Sequence, residues 1–289
     1  MRTDPTAQPD VTVANAGDPI ETPDAVVART ASNRHLAVSV ASVFLLPWLV
    51  WGSAVAQAHG LITWRLPQGT ALWVLTPSVV VGALVVGGRP ALKDLVRRVL
   101  RWRAPVWVYL AAVALPLAIG AGTVAVSAVT GRPVHLGETE GLAGCLVYFT
   151  YAVGLFLLTE EAGWTGLLLP RLMVRMPWLP ASLVLGVVWG LWHLPLLNVP
   201  GQRDHGLPFA AFLLFIVATR VLMTALATVS RMAVPVAAVF HAAIDATSVY
   251  VGVVGGDHSV IWSAGVVTAS LAVVTTVVTR GRVLQRAAA

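Results

Sequence analysis

The stretch Leu157-Leu-Thr-Glu-Glu-Ala-Gly-Trp-Thr-Gly-Leu-Leu-Leu-Pro170 sets two adjacent carboxylates, Glu160 and Glu161, inside an apolar run that begins at Gly141. A run of this length is long enough to cross a bilayer. A carboxylate inside hydrocarbon is expensive, so each of these two needs a water path, a partner or a chemical role.

Composition carries the same reading to the rest of the chain. The 289 residues are 57% hydrophobic and 11% charged, more apolar surface than a soluble core of this size uses. The apolar runs are continuous rather than alternating, which argues for helices and against a membrane β-barrel. The expected fold is therefore an all-α polytopic membrane protein, a bundle of about eight transmembrane helices around an intramembrane polar site. Cys145 is the single cysteine, so an intrachain disulfide is excluded. No nucleic-acid-binding motif occurs, and the arginines at span ends fit anionic lipid better than nucleic acid.

Residues 1–34 are rich in Pro, Asp, Thr and Ala and lack the apolar segment of a signal peptide. They read as a disordered cytoplasmic tail. The transmembrane domain is expected over 35–280, and 281–289 form a second cytoplasmic tail.

Apolar runs mark eight spans, near 36–58, 70–88, 105–129, 141–169, 180–198, 207–230, 232–254 and 259–279. With the amino terminus inside, fifteen Lys and Arg fall on the cytoplasmic side and three, Arg65, Arg132 and Arg203, outside. The positive-inside rule thus supports both termini in the cytoplasm. Residues 89–103 place Leu92, Leu95, Val96, Val99 and Leu100 at helical spacing among bases, the pattern of a helix on the inner leaflet.

Ionisable groups gather in the second half. Spans four to seven hold Glu160, Glu161, His193, Arg220, His241 and Asp245. Measured from the cytoplasmic ends, Glu160, Arg220 and His241 lie roughly 15 Å deep and His193 roughly 20 Å, with Asp245 one turn beyond His241. Four helices therefore bring polar groups to nearly one level, which reads as a single site. His241 and Asp245 are spaced i,i+4, as are Trp189 and His193, so each pair shares a helix face. Glu160 and Glu161 point about 100° apart around their helix and cannot do the same job. Gly186-Val-Val-Trp-Gly190 is a small-xxx-small pattern suited to close helix packing.

A carboxylate near two imidazoles in a dry cavity can serve as a general base toward water. The imidazoles and Asp245 can bind a metal, donate to an oxyanion or fix one another's tautomers. The Gly-Xaa-Ser-Xaa-Gly elbow and the His-Glu-Xaa-Xaa-His zinc motif are both absent.

Three segments in order, Glu160-Glu161-Ala-Gly-Trp-Thr165, Trp189-Gly-Leu-Trp-His193 and His241-Ala-Ala-Ile-Asp245, resemble the motifs of the CPBP intramembrane proteases. This group is also called the CAAX protease and bacteriocin-processing, or Abi, family, and the resemblance covers roughly residues 89–250. It implies that Glu160 activates the hydrolytic water together with His193. It further implies that His241 and Asp245 steady the water or the oxyanion, and that Glu161 is structural. The family has an arginine where this chain has Thr165 and a phenylalanine where it has Trp189. Arg220, the only base inside a span and at the depth of Glu161, is expected to stand in for that arginine by reaching Glu161 or Asp245.

The implied activity is an intramembrane endopeptidase that cleaves a membrane-associated protein or peptide with a glutamate-activated water. The expected location is a bacterial plasma membrane, with the lipid bilayer and the substrate as partners and no nucleic acid. The glutamate mechanism requires no cofactor. A divalent metal such as zinc, if one is used, would be held by Glu160, His193, His241 and Asp245. Two alternatives stay open: an inactive family member acting as scaffold or immunity factor, motivated by Thr165, and a proton-coupled transporter.

Overall fold

The computed structural model describes residues 22–279 apart from 133, 139 and 256. Among the described residues it is all helical: α1 (Pro23–Arg29), α2 (Asn33–Ala58), α3 (Ala71–Val99), α4 (Val106–Val129), α5 (Gly141–Leu158), a π-helical turn (Ala162–Leu168), α6 (Leu169–Arg175), α7 (Trp178–Trp192), α8 (Leu194–Leu197), α9 (Phe209–Val229), α10 (Val234–Val251) and α11 (Val260–Thr279). Seven spans are long and apolar enough to cross a membrane, with α5, the π turn and α6 forming one of them. The eighth, α7, has only 15 residues. This is a polytopic helical membrane protein. α9 and α10 are the most deeply enclosed, and α5, α7 and the π turn pack around them.

The fifth expected span, 180–198, is broken, and Pro195 is the reason. A helix continued through it would lose the Pro195 amide donor and push the ring into the Leu191 carbonyl. The chain instead leaves the helix after Trp192, turns at His193 and restarts as α8 with Pro195 in its first turn. Helix ends inside a bilayer must find partners for their free carbonyls. α2 supplies one, because the Trp48 indole N–H donates to Trp192 O at 3.0 Å. In return the Trp192 indole donates to Val43 O at 2.8 Å.

Two glycines of the small-xxx-small pattern let α7 settle onto α9. A methyl on Gly186 would meet the Val217 backbone at 2.8 Å, and one on Gly190 would meet Leu213 at 2.6 Å. α3 does not stop at residue 88 but bends there. Gly88 has φ +63° and ψ −155°, open in practice only to glycine, and the bend swings Arg89–Val99 along the end of the bundle. That segment buries Ala91 and Leu95 against the protein and leaves Val96 exposed, as is Leu100 just past its end.

The expected disordered tail needs correction. Residues 23–29 form α1, capped by the Thr22 hydroxyl, with Val26 and Val27 buried against α3 and α6. Thr30 sits so close to Gly87 that a methyl there would come within 2.6 Å of it. The Ala-Val-Val patch at 25–27 is a short apolar face that the polar average of the tail conceals. The remainder of that tail, 1–21, and the carboxy-terminal tail lie outside the described residues.

Candidate active site

Between α5 and the π turn the helix loses its regular geometry at Thr159, whose φ and ψ are −108° and −92°. The next turn is π-helical over Ala162–Leu168, and such turns are wound wider than an α-helix. Gly163 and Gly166 let this bulky turn approach its neighbours: methyls there would reach Val43 and Leu95 at 2.7 Å. The two carboxylates at the head of the turn face different surroundings. Glu160 lines a cavity of about 460 Å³, whereas Glu161 is 0% exposed and turned into the protein behind it.

Two indoles hold Glu160 from neighbouring elements. Trp189 on α7 donates to its Oε2 at 3.1 Å, and Trp164 in the π turn donates to the same oxygen at 3.4 Å. Oε1 is left without a protein partner among the described residues. A tryptophan in the phenylalanine position of the motif therefore adds a hydrogen bond that phenylalanine lacks.

His193 owes its orientation to the break in α7. In an unbroken helix its amide would bond to Trp189 O, but it bonds to Gly190 O instead, at 3.2 Å. The Trp189 carbonyl takes the imidazole, with Nδ1 at 2.9 Å. A carbonyl can only accept, so Nδ1 carries the proton and Nε2 is left as an acceptor. Phe212, Trp189 and Trp192 pack around the ring with centroids 5.0–5.6 Å away.

On α10, His241 stacks on Phe156 at 3.8 Å and 11° and places Nδ1 at 3.0 Å from Glu161 Oε1. Its Nε2 faces Asp245 Oδ1 at 3.9 Å. Tyr148 on α5 donates to Asp245 Oδ2 at 3.2 Å. Behind this wall Arg220 grips Glu161 with both terminal nitrogens, at 3.2 Å and 3.1 Å, and its NH1 also meets Thr165 Oγ1 at 3.3 Å. The Thr165 hydroxyl donates to Glu161 as well, and the guanidinium lies over the Trp189 ring, 4.4 Å from its centre.

Glu160, His193, His241 and Asp245 thus line one cavity, while Glu161, Thr165 and Arg220 form a buried cluster beside it. Tyr148, Arg203 and Asp204 also line the cavity and escape the motif reading. Tyr148 had a signal, since Tyr148, Ala152 and Phe156 recur every four residues on the face that meets α10. Asp204 is half-buried in the turn before α9, where burial and the Asp245 and Glu160 carboxylates push its carboxyl up to about 7. Among the described residues no three His, Cys, Asp or Glu side chains are gathered closely enough, as placed, to hold a metal ion.

Residues 142–247 match the family model of the Rce1-like type II CAAX prenyl endopeptidases. Over that stretch the chain resembles the CPBP intramembrane proteases. No curated protein matches the sequence. The matched stretch holds all three motifs of this CAAX-protease-like core and Arg220, and runs from the start of α5 to the last turn of α10. Proteolysis in the membrane is the activity class that the family supports for this chain.

Proposed function

We propose that the protein is an intramembrane endopeptidase in which Glu160 activates a water for attack on a peptide carbonyl. The observation that carries this reading is the pose of Glu160, pinned through one oxygen by two indoles with the other free toward the cavity. Oε1 takes a proton as the water oxygen bonds to the carbonyl carbon. His193 Nε2 accepts the water's second hydrogen and aims it. His241, as an imidazolium flanked by the Glu161 and Asp245 carboxylates, donates Nδ1–H to Glu161 and presents Nε2–H to the developing oxyanion, and Asp245 orients the water. Collapse of the tetrahedral intermediate breaks the carbon–nitrogen bond, and Glu160 returns its proton to the leaving amine.

The departure that motivates an inactive reading, Thr165 in place of an arginine, loses its force because Arg220 brings a guanidinium to Glu161 from another helix. The test is mass spectrometry of membrane-peptide fragments from cells with the wild-type protein and with Glu160→Ala. Fragments present only with the wild type support the reading, and identical fragment sets overturn it.

A further inference from the structure

The cavity has a direction. Its lining includes Gln68, Gly201, Gln202, Arg203, Asp204 and Val254. These lie in the turns before α3, before α9 and after α10, which all sit at one end of the bundle. The turns at the other end, between α3 and α4, α6 and α7, and α9 and α10, contribute nothing to it. The short α7 accounts for this. Fifteen residues cover about 22 Å of a hydrocarbon core about 30 Å thick, and the helix starts from the closed end. Its missing final turns leave room beyond His193, and the chain over 198–208 only partly fills it.

Charge separates the two ends. Of the fifteen Lys and Arg in the described residues, eleven lie at the closed end, three at the mouth, and Arg220 between them. The mouth end carries Glu138, Glu140, Asp204 and Asp257 against those three bases. Loops this short obey the positive-inside rule, so the closed end is the cytoplasmic one.

We propose that the cavity opens on the membrane face away from the cytoplasm, and that its substrate is the extracytoplasmic part of a membrane-anchored polypeptide. A lipidated cytoplasmic tail would meet only the closed, basic end, separated from Glu160 by the π turn and the Glu161–Arg220 pair. At the open end, apolar and aromatic walls from Leu72, Phe215 and Ile244 offer contacts to apolar side chains near the cleaved bond.

The substrate class rests on the endopeptidase reading, but the sidedness does not, and it is tested without turnover. In a Cys145→Ser background, Gln202→Cys marks the mouth and Trp102→Cys the closed end. Each is exposed to a membrane-impermeant maleimide in right-side-out and inside-out vesicles, with labelling in detergent as the measure of complete reaction. The expected result is at least tenfold faster labelling of Gln202→Cys in right-side-out vesicles and of Trp102→Cys in inside-out ones. Gln202→Cys reacting faster in inside-out vesicles, or equally in both, overturns the proposal. If instead no cleavage depends on Glu160, the enzymatic reading falls while the sidedness stands on the labelling alone.

Discussion

Arg220 on α9 holds both carboxylate oxygens of Glu161 from 59 residues further along the chain, at 3.1 and 3.2 Å. The family's arginine would do this from four residues away on the same helix. Here that position holds Thr165, which hydrogen-bonds to the same carboxylate and to the same guanidinium. Both charged side chains are 0% exposed, so each depends on the other. His241 hangs from this pair through Glu161, so the pair sets the pose of a cavity-lining ring as well as stabilising the bundle.

Removing one member of such a pair strands a buried charge. Arg220→Met or Glu161→Gln alone is expected to cost about 3–5 kcal/mol, and the double variant less than the worse single. Thermal unfolding in detergent measures all three. Additive losses in the double variant would show that the two side chains do not depend on each other.

Glu160→Gln removes the proposed base, and His193→Ala removes the group that aims the water. Both variants are expected to insert and fold as the wild type does, with cleavage below detection. Wild-type turnover in either one removes that residue from the mechanism.

Trp189→Phe installs the aromatic residue found in the family motif and deletes one of the two indole N–H groups on Glu160. One hydrogen bond to a carboxylate is worth about 1.5 kcal/mol, so kcat should fall about tenfold. KM should hardly change, because the lost contact orients the base rather than the peptide. A rise in KM at constant kcat would recast Trp189 as a substrate contact.

With Glu160 as the base, activity should survive exhaustive chelation. Loss with chelator and recovery with zinc would instead favour a metal on these four side chains.

Asp204 links the mouth to pH. Its carboxyl titrates at about 7 in the folded protein against an ordinary 3.8, so the folded state prefers it protonated. The stability it contributes is full below about pH 4 and is lost as pH rises through about 7. Asp204→Asn removes that dependence. Melting temperatures across this window should therefore fall more steeply in the wild type than in the variant, and parallel curves would contradict the assignment.

Much of this was legible in the chain, because a bilayer demands long apolar runs and makes each buried charge conspicuous. The run from Phe209 to Val229 contains one base, Arg220, and its depth pointed to Glu161 or Asp245, between which the structure chooses Glu161. The early end of α7 was written in Pro195, but hydropathy averages across it and returns one span. Arg203 and Asp204 had no comparable signal. They sit in a polar turn whose fold over the cavity depends on contacts distant in sequence, such as the Gly255 amide on Arg203 O. α1 was hidden for the opposite reason, since three apolar residues in a polar tail are too few to register.

The π turn makes the site sensitive to chain length as well as to composition. A wide turn accommodates about one residue more than an α-helical one. Deleting a single residue between Ala162 and Leu168 would let that turn tighten, and everything on one side of it would rotate by about 100° relative to the other. Glu160 would then swing off the indoles, or Leu169 and the rest of α6 would swing off the bundle. Conservative substitutions leave this registration intact, but a three-nucleotide deletion in the gene would erase it with every cavity-lining carboxylate and imidazole still encoded.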